Sequence, residues 1–213
     1  MRYIKQAAIS AIGLAAFLLF RPIEAVYHYW SKCISGEIST ARMVWTEEAY
    51  AEVLISSADA LQILLPHADQ RTEEIHRLTD EQVKTIERRA HVTFDPEFSR
   101  EFHFHIGRSN GVVTAYAVED TVHGKWGPIR YMIIFDPAGK VLDVIVLEYQ
   151  EKRGRPVAER RFLKQFVGKK AGDNVRLNKD IRSVTGASMS SGGMANGIRK
   201  MIHVFGELYG SQS

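Results

Sequence analysis

The stretch IRYMIIFDPAGKVLDVIVLEY, Ile129 to Tyr149, decides the fold. Ile129 to Phe135 and Val141 to Tyr149 are dense in β-branched and aromatic residues, the composition that suits a pleated, packed surface. Between them Asp136-Pro137-Ala138-Gly139-Lys140 has turn chemistry, with Pro fixing φ early and Gly supplying a permissive backbone later. The pair therefore reads as a β-hairpin. Upstream, Phe102 to Ile106 and Val112 to Val118 have the same character and read as two more strands.

Around these strands the periodicity turns helical. Apolar residues at Tyr50, Val53, Leu54, Leu61, Leu64 and Leu65 predict a docking helix within 46–65, ended by Pro66. Thr79-Asp80-Glu81-Gln82 has the form of a capping box and starts a second helix to about Ala90, with Val83 and Ile86 on one face. Val157 to Val167 is a third candidate, in which Phe162, Leu163, Phe166 and Val167 share a face and Gly168 follows as a cap. The last helix is expected from about Gly192 to Tyr209, with Met194, Ile198, Met201, Ile202, Phe205 and Leu208 inward. No repeat or low-complexity linker interrupts the pattern. The expected class is α+β, a small antiparallel sheet flanked by helices.

The 213 residues, 45% hydrophobic and 25% charged, suit one globular domain with a short appendage. The net charge is +3, and three of the basic residues, Arg2, Lys5 and Arg21, sit in the first 25 positions beside a single acid, Glu24. The remainder is almost balanced, which gives no electrostatic case for nucleic acid. One cysteine, Cys33, excludes a disulfide framework and any multi-cysteine metal site; the Trp30-Ser31-Lys32 before it does not suit lipidation, so it reads as an incidental thiol.

The first residues carry a targeting pattern. Basic MRYIK is followed by AAISAIGLAAFLLF, Ala7 to Phe20, and then by Arg21-Pro22. Fourteen residues at helical rise cover roughly 21 Å, short of the ~30 Å hydrocarbon core. Residues 1–25 are thus expected to be a signal peptide cut after Ala25, or an uncleaved anchor. Either sends the rest out of the cytoplasm, to the periplasm or the outer face of the membrane. The expected division continues with an N-terminal helical region, 26–100, and a second domain, 101–213.

The chemistry concentrates in DIRSVTGASMSS, Asp180 to Ser191, followed by Gly192 and Gly193. Small residues let a backbone approach a ligand, the hydroxyls of Ser183, Thr185, Ser188, Ser190 and Ser191 offer donors, and a helix begins just afterward. Free N–H groups and the positive helix end make such a place a natural phosphate site; a serine-rich N-cap with no ligand is the plain alternative.

Thr185-Gly186-Ala187-Ser188-Met189-Ser190 resembles the Ser/Thr-Gly-Ala-Thr/Ser-x-Ser/Thr signature of the FMN-binding-domain family, which includes flavinylated subunits of sodium-pumping NADH:quinone oxidoreductases and Rnf complexes. Gly124-Lys125-Trp126-Gly127-Pro128-Ile129, the 136–140 hairpin, Val144 to Tyr149, and Arg161-Phe162-Leu163-Lys164-Gln165-Phe166-Val167-Gly168-Lys169 resemble further parts of the family, in order, over about 108–205. The resemblance implies an exported electron carrier with FMN, held through a phosphoester on Ser188, the hydroxyl residue after Gly-Ala. It implies attachment by a magnesium-dependent FMN transferase and service to a membrane or periplasmic redox partner, rather than a stand-alone enzyme. It also implies Thr185, Gly186, Ala187, Ser190, Glu148, Trp126, Arg161 and Lys164 as flavin-site residues. Arg182 departs from the pattern, since an Asp usually stands six residues before the acceptor; the nearest acid here is Asp180. A non-redox binding or sensory module on the same fold, without covalent flavin, is the alternative.

Other chemistries are thinly supported. His103 and His105 project from one strand face and could take a transition metal with His123 or His91, but no carboxylate or third ligand is fixed by the local pattern, and solvated histidines are expected. There is no G-x-S-x-G elbow, no Cys-x-x-Cys-His haem attachment, and no P-loop spacing around Gly124 to Gly127.

Overall fold

A computed structural model describes residues 52–150 and 157–210, all within one compact unit, Ala49–Ser213. The targeting segment, Cys33 and positions 46–51 lie outside the described residues. Ten elements follow in order: β1 (Glu52–Val53), α1 (Ser57–Leu64), β2 (Gln70–Arg77), α2 (Asp80–Ala90), β3 (Glu101–Ser109), β4 (Val112–His123), β5 (Pro128–Phe135), β6 (Val141–Tyr149), α3 (Arg160–Leu163) and α4 (Ser188–Tyr209). A 3-10 turn, Lys164–Phe166, extends α3.

The class is α+β, as expected. The six strands form one antiparallel sheet in the order β1-β6-β5-β4-β3-β2. Strands β2 to β6 are a meander, each beside its neighbour in sequence, and β1 adds to the far edge. The 136–140 hairpin forms as read: the Asp136 carboxylate accepts from the N–H groups of Ala138 and Lys140, both at 2.9 Å, and Gly139 takes φ +78°. That positive φ is where glycine carries no steric cost.

Both sheet faces are covered, which explains why Tyr131 to Phe135 are all buried rather than alternating. Tyr131, Ile133 and Phe135 join the larger core with Val83 and Ile86 of α2, Phe162 of α3, and Met194, Ile198, Met201, Ile202 and Phe205 of α4. Met132 and Ile134 face the other way, onto Ala60 and Leu64 of α1 and Leu65. Helix α2 starts on the anticipated capping box: Gln82 N–H donates to Thr79 Oγ1, and Thr79 N–H donates to Gln82 Oε1 at 2.9 Å. At its other end the buried Arg199 guanidinium donates to the carbonyls of Ala90 (2.6 Å), His91 (3.2 Å) and Val175 (2.7 Å), tying α4 to α2 and to the segment before the signature loop. The first two are orphan helix-end carbonyls that would otherwise need water.

Three helices differ from expectation. The first is cut down because Ser56 Oγ accepts from Asp59 N–H at 3.1 Å and starts α1 at Ser57, while Glu52 and Val53 pair with Tyr149 and Glu148 as β1. Val53 is consequently exposed rather than part of a buried stripe. The third is one α turn plus a 3-10 turn, with Val167 exposed after it. The last begins at Ser188, a full turn before Gly192. Residues 52–100 also contribute β2, a strand whose polar sequence QRTEEIHR carries no periodic signal.

Helix α4 crosses the end of β4 at very short range. A Cβ on Gly193 would strike the carbonyl of His123, and one on Gly197 would strike Val122. Glycine is required there by approach rather than by φ.

Candidate functional site

The site grows from the first turn of α4. Ala187 is its N-cap and supplies no side-chain cap, so the amides of the first turn depend on other partners. The serines of that turn divide by direction. Ser190 and Ser191 are fully buried: Ser190 Oγ accepts from Lys125 N–H and Ser191 Oγ from Val184 N–H, each at 3.1 Å. One hydroxyl thus holds the Gly124–Gly127 turn against α4, and the other folds the signature loop back on the helix. Ser188 and Met189 face outward and are exposed, as is Gly186, which takes φ +81° with no atom near its missing Cβ; Thr185 beside it is also exposed. The backbone closes the loop through Ala187 N–H to Val184 O (3.0 Å) and Ser191 N–H to Ala187 O (2.9 Å).

An open cleft of about 620 Å³ lies between α3 and residues 182–185 of the signature loop, walled by Arg161, Phe162, Gln165, Arg182 and Thr185 among others; Ser188, three residues beyond Thr185, is not among its lining residues. The volume falls within the usual range of small-ligand and cofactor sites, about 300–1,000 Å³. Two guanidinium groups, Arg161 and Arg182, and one carboxylate, Glu159, line the cleft. Planar, permanently charged guanidinium is the side chain best matched to phosphate oxygens.

Gln165 holds the two walls together. Its Oε1 accepts from Arg182 N–H at 2.8 Å, and its Nε2 donates to the carbonyls of Arg182 (3.2 Å) and Phe162 (3.3 Å). Gln165→Leu should remove about 1–2 kcal/mol of stability by orphaning this bracket, read as a lower urea midpoint with an unchanged slope. An unchanged midpoint would show the bracket to be idle.

Further back, Asp180 secures the loop root: Lys169 Nζ donates to Oδ2 at 2.7 Å and Arg176 N–H to Oδ1 at 2.9 Å. Burial pushes its carboxyl pKa up, but the Lys169 and Arg176 hydrogen bonds, with the Lys169 charge and its own backbone N–H, bring the net value below the ordinary carboxylate one. A lowered folded-state pKa means stability that is present above the unfolded value, about 3.9, and lost as pH falls through the folded one. Asp180→Asn should therefore cost stability at neutral pH and flatten the acid limb below about pH 4; an acid limb identical to wild type would refute the assignment.

The remaining expected residues lie in different places. Trp126 is 43% exposed in the Gly124–Gly127 turn, closed by Gly124 N–H to Gly127 O at 2.8 Å, with Lys125 Nζ 5.1 Å from the ring centroid. It stands next to the residue that Ser190 holds. Arg161 is exposed in the cleft wall, and Lys164 is exposed on the 3-10 turn without lining the cleft. Glu148 is on the other face of the sheet, where Arg130 pairs with it (3.3 Å), with Glu119 (3.0 Å) and with Ser57 of α1 (3.3 Å). A register shift between Arg130 and Tyr131 inserts Leu147 as an extra residue in β6 and turns Glu148 over. The structure therefore does not bring Glu148 to the cleft. Nor does it gather His103 and His105 with other imidazoles: His103 pairs with Glu73 (2.8 Å) and Glu101 (3.4 Å), and the Glu73 hydrogen bond first of all raises its pKa. Gln165, the bracket, is a site residue that the sequence reading misses, although its place in the FLKQF segment is the available signal.

Residues 124–203 match the model of the FMN-binding domain family. Over this segment the chain is similar to FMN-binding domains. The match begins at the glycine turn, runs through the hairpin, α3 and the signature loop, and ends within α4, so it contains every wall of the cleft. The fold resembles the crystal structure of NqrC from Shewanella oneidensis, with a TM-score of 0.51 and 17% identity over 72% of this chain and 96% of that one. The crystal structure of a Na(+)-translocating NADH-quinone reductase component from Parabacteroides distasonis aligns with a TM-score of 0.41 and 18% identity over 72% of this chain and 81% of that one. No curated protein matches the chain.

The chemistry of the donor set suits the cofactor that an FMN-binding domain implies: the outward alcohol of Ser188 on a helix N-terminal turn and, in the cleft formed by the loop before it, two guanidinium groups are group types that match a phosphate. Among the described residues, no helix is long and apolar enough to cross a membrane.

Proposed function

We propose that this chain is an exported electron-transfer protein whose FMN is joined through its phosphate to Ser188. The observation that carries the reading is the direction of Ser188: of the three serines in the α4 first turn, it alone is exposed, and it follows by three residues Thr185, which lines a cleft with two arginines. In the attachment step Ser188 Oγ would displace AMP from FAD, forming a Ser–O–P bond as the P–O–P bond breaks and the hydroxyl proton leaves to base. A magnesium-dependent transferase would supply the activation, since no general base stands against Ser188 among the described contacts.

Once bound, FMN supplies reversible electron uptake and release, and the protein supplies position and charge. Arg161 and Arg182 balance the phosphate, the first turn of α4 offers its amides, and Trp126 flanks the glycine turn. The fold resemblance and the basic, apolar N-terminal stretch support a partner at the outer face of a membrane or in the periplasm.

The full-length chain, expressed with an FMN transferase in an exporting host, should stay yellow after acid precipitation and gain the mass of one FMN less water. A colourless pellet with the polypeptide's own mass would remove the covalent attachment. Bound but extractable FMN would retain the redox reading alone, and complete lack of flavin would favour a ligand-binding module, for which Arg182 in place of the usual Asp is the motivating difference.

A further inference from the structure

A second polar cluster lies where β4 ends, outside the flavin cleft. Asp95, Glu97 and His123 each offer one donor atom, and the three atoms lie within 4.8 Å of one another. His123 Nε2 is 2.8 Å from Asp95 Oδ2 and 3.5 Å from Glu97 Oε2. Tetrahedral ligands about 2.1 Å from a zinc ion stand about 3.4 Å apart, so this spacing needs only small adjustment to close on an ion.

The donors are also aimed. Glu97 N–H donates to Asp95 Oδ1 at 2.9 Å, which turns Oδ2 toward the imidazole. The Phe98 ring lies against His123 with centroids 4.7 Å apart, fixing the ring plane. The His123 backbone is held in turn by the Gly193 approach, where any side chain on α4 would collide with its carbonyl. A hydrogen bond to the second oxygen of a ligating carboxylate, as at Asp95, is the kind of support that accompanies metal ligands.

Two of the three donors, Asp95 and His123, also line an open pocket of about 200 Å³ with Thr121, Asn196 and Lys200 among others. Three protein ligands leave a fourth coordination position for water or a small anion. We propose that Asp95, Glu97 and His123 form a site for one first-row divalent cation of the zinc type. Two carboxylates with one imidazole suit zinc or manganese better than copper(I), which prefers sulfur. The ion would clamp the 92–98 segment to the end of β4, one residue before the Gly124–Gly127 turn. The proposal does not depend on flavin.

Tag-free full-length protein, stripped with chelator and titrated calorimetrically with ZnCl₂, should bind one equivalent. His123→Gln and Asp95→Asn should each weaken binding by at least about tenfold, while His103→Gln and Cys33→Ser leave it unchanged. Zinc should raise the melting temperature of wild type but not of His123→Gln, whose far-UV spectrum reports that it is folded. The site is overturned by lack of stoichiometric binding in wild type, by undiminished binding in folded His123→Gln, or by loss of binding in His103→Gln or Cys33→Ser.

Discussion

Ser188→Ala should abolish the flavin adduct completely, leaving a colourless, unshifted polypeptide after acid precipitation, with stability close to wild type. The side chain is exposed and makes no inward contact that the fold needs, so its loss removes a nucleophile and little else. Ser188→Thr should keep the adduct, because it retains one alcohol oxygen on the same Cβ. Ser190→Ala separates attachment from architecture. Its fully buried hydroxyl accepts from Lys125 N–H, so the variant should lose about 1 kcal/mol yet still be flavinylated. Intact mass spectrometry of the three variants, with a urea melt of the last, reads all of this. An adduct surviving in Ser188→Ala would move the acceptor to another outward hydroxyl, of which Thr185 in the cleft wall is the nearest in sequence.

The parts of the fold that are legible in the sequence are those specified by local chemistry. The Thr79–Gln82 box, the Asp136–Gly139 turn and the β-branched runs of β3 to β6 each contain their own instruction, and each forms. β2 is illegible because an edge strand needs little apolar surface: QRTEEIHR is exposed along nearly its whole length and is held by backbone pairing to β3. Glu148 cannot be placed from sequence because one extra residue at Leu147 inverts the alternation, and a bulge is a property of two strands together. The signature loop is legible as a small-residue turn opening the last helix, but not which of its serines face inward. That depends on which way the α4 first turn faces, set by the glycines at 193 and 197 that let the helix lie on β4. Arg199 is, by sequence, one more charge on the terminal helix, although burial makes it a bracket for three carbonyls.

Lys200→Met should be among the most damaging single changes in the domain, costing about 3–5 kcal/mol. Lys200 Nζ donates to Asp120 Oδ1 at 2.8 Å, and both side chains are almost out of solvent, 10% and 4% exposed. Tyr131 OH donates to the other carboxylate oxygen at 2.6 Å. Burial, and then the neighbouring Asp120 charge, push the tyrosine pKa well up, so it stays a donor and cannot take over the neutralising role. Removing the ammonium therefore strands a carboxylate between β4 and α4, and total stability of a domain is only about 5–15 kcal/mol. The double variant Lys200→Met with Asp120→Asn should recover most of the loss, because the amide oxygen still accepts from Tyr131 and no charge remains to be compensated. Urea melts of both variants decide the matter. If Lys200→Met costs less than about 1 kcal/mol, the pair behaves as a solvated surface bridge and α4 is held by its apolar face alone; if the double variant is no better than the single, the loss comes from packing around Phe94, whose ring centroid lies 5.3 Å from Nζ, and not from charge.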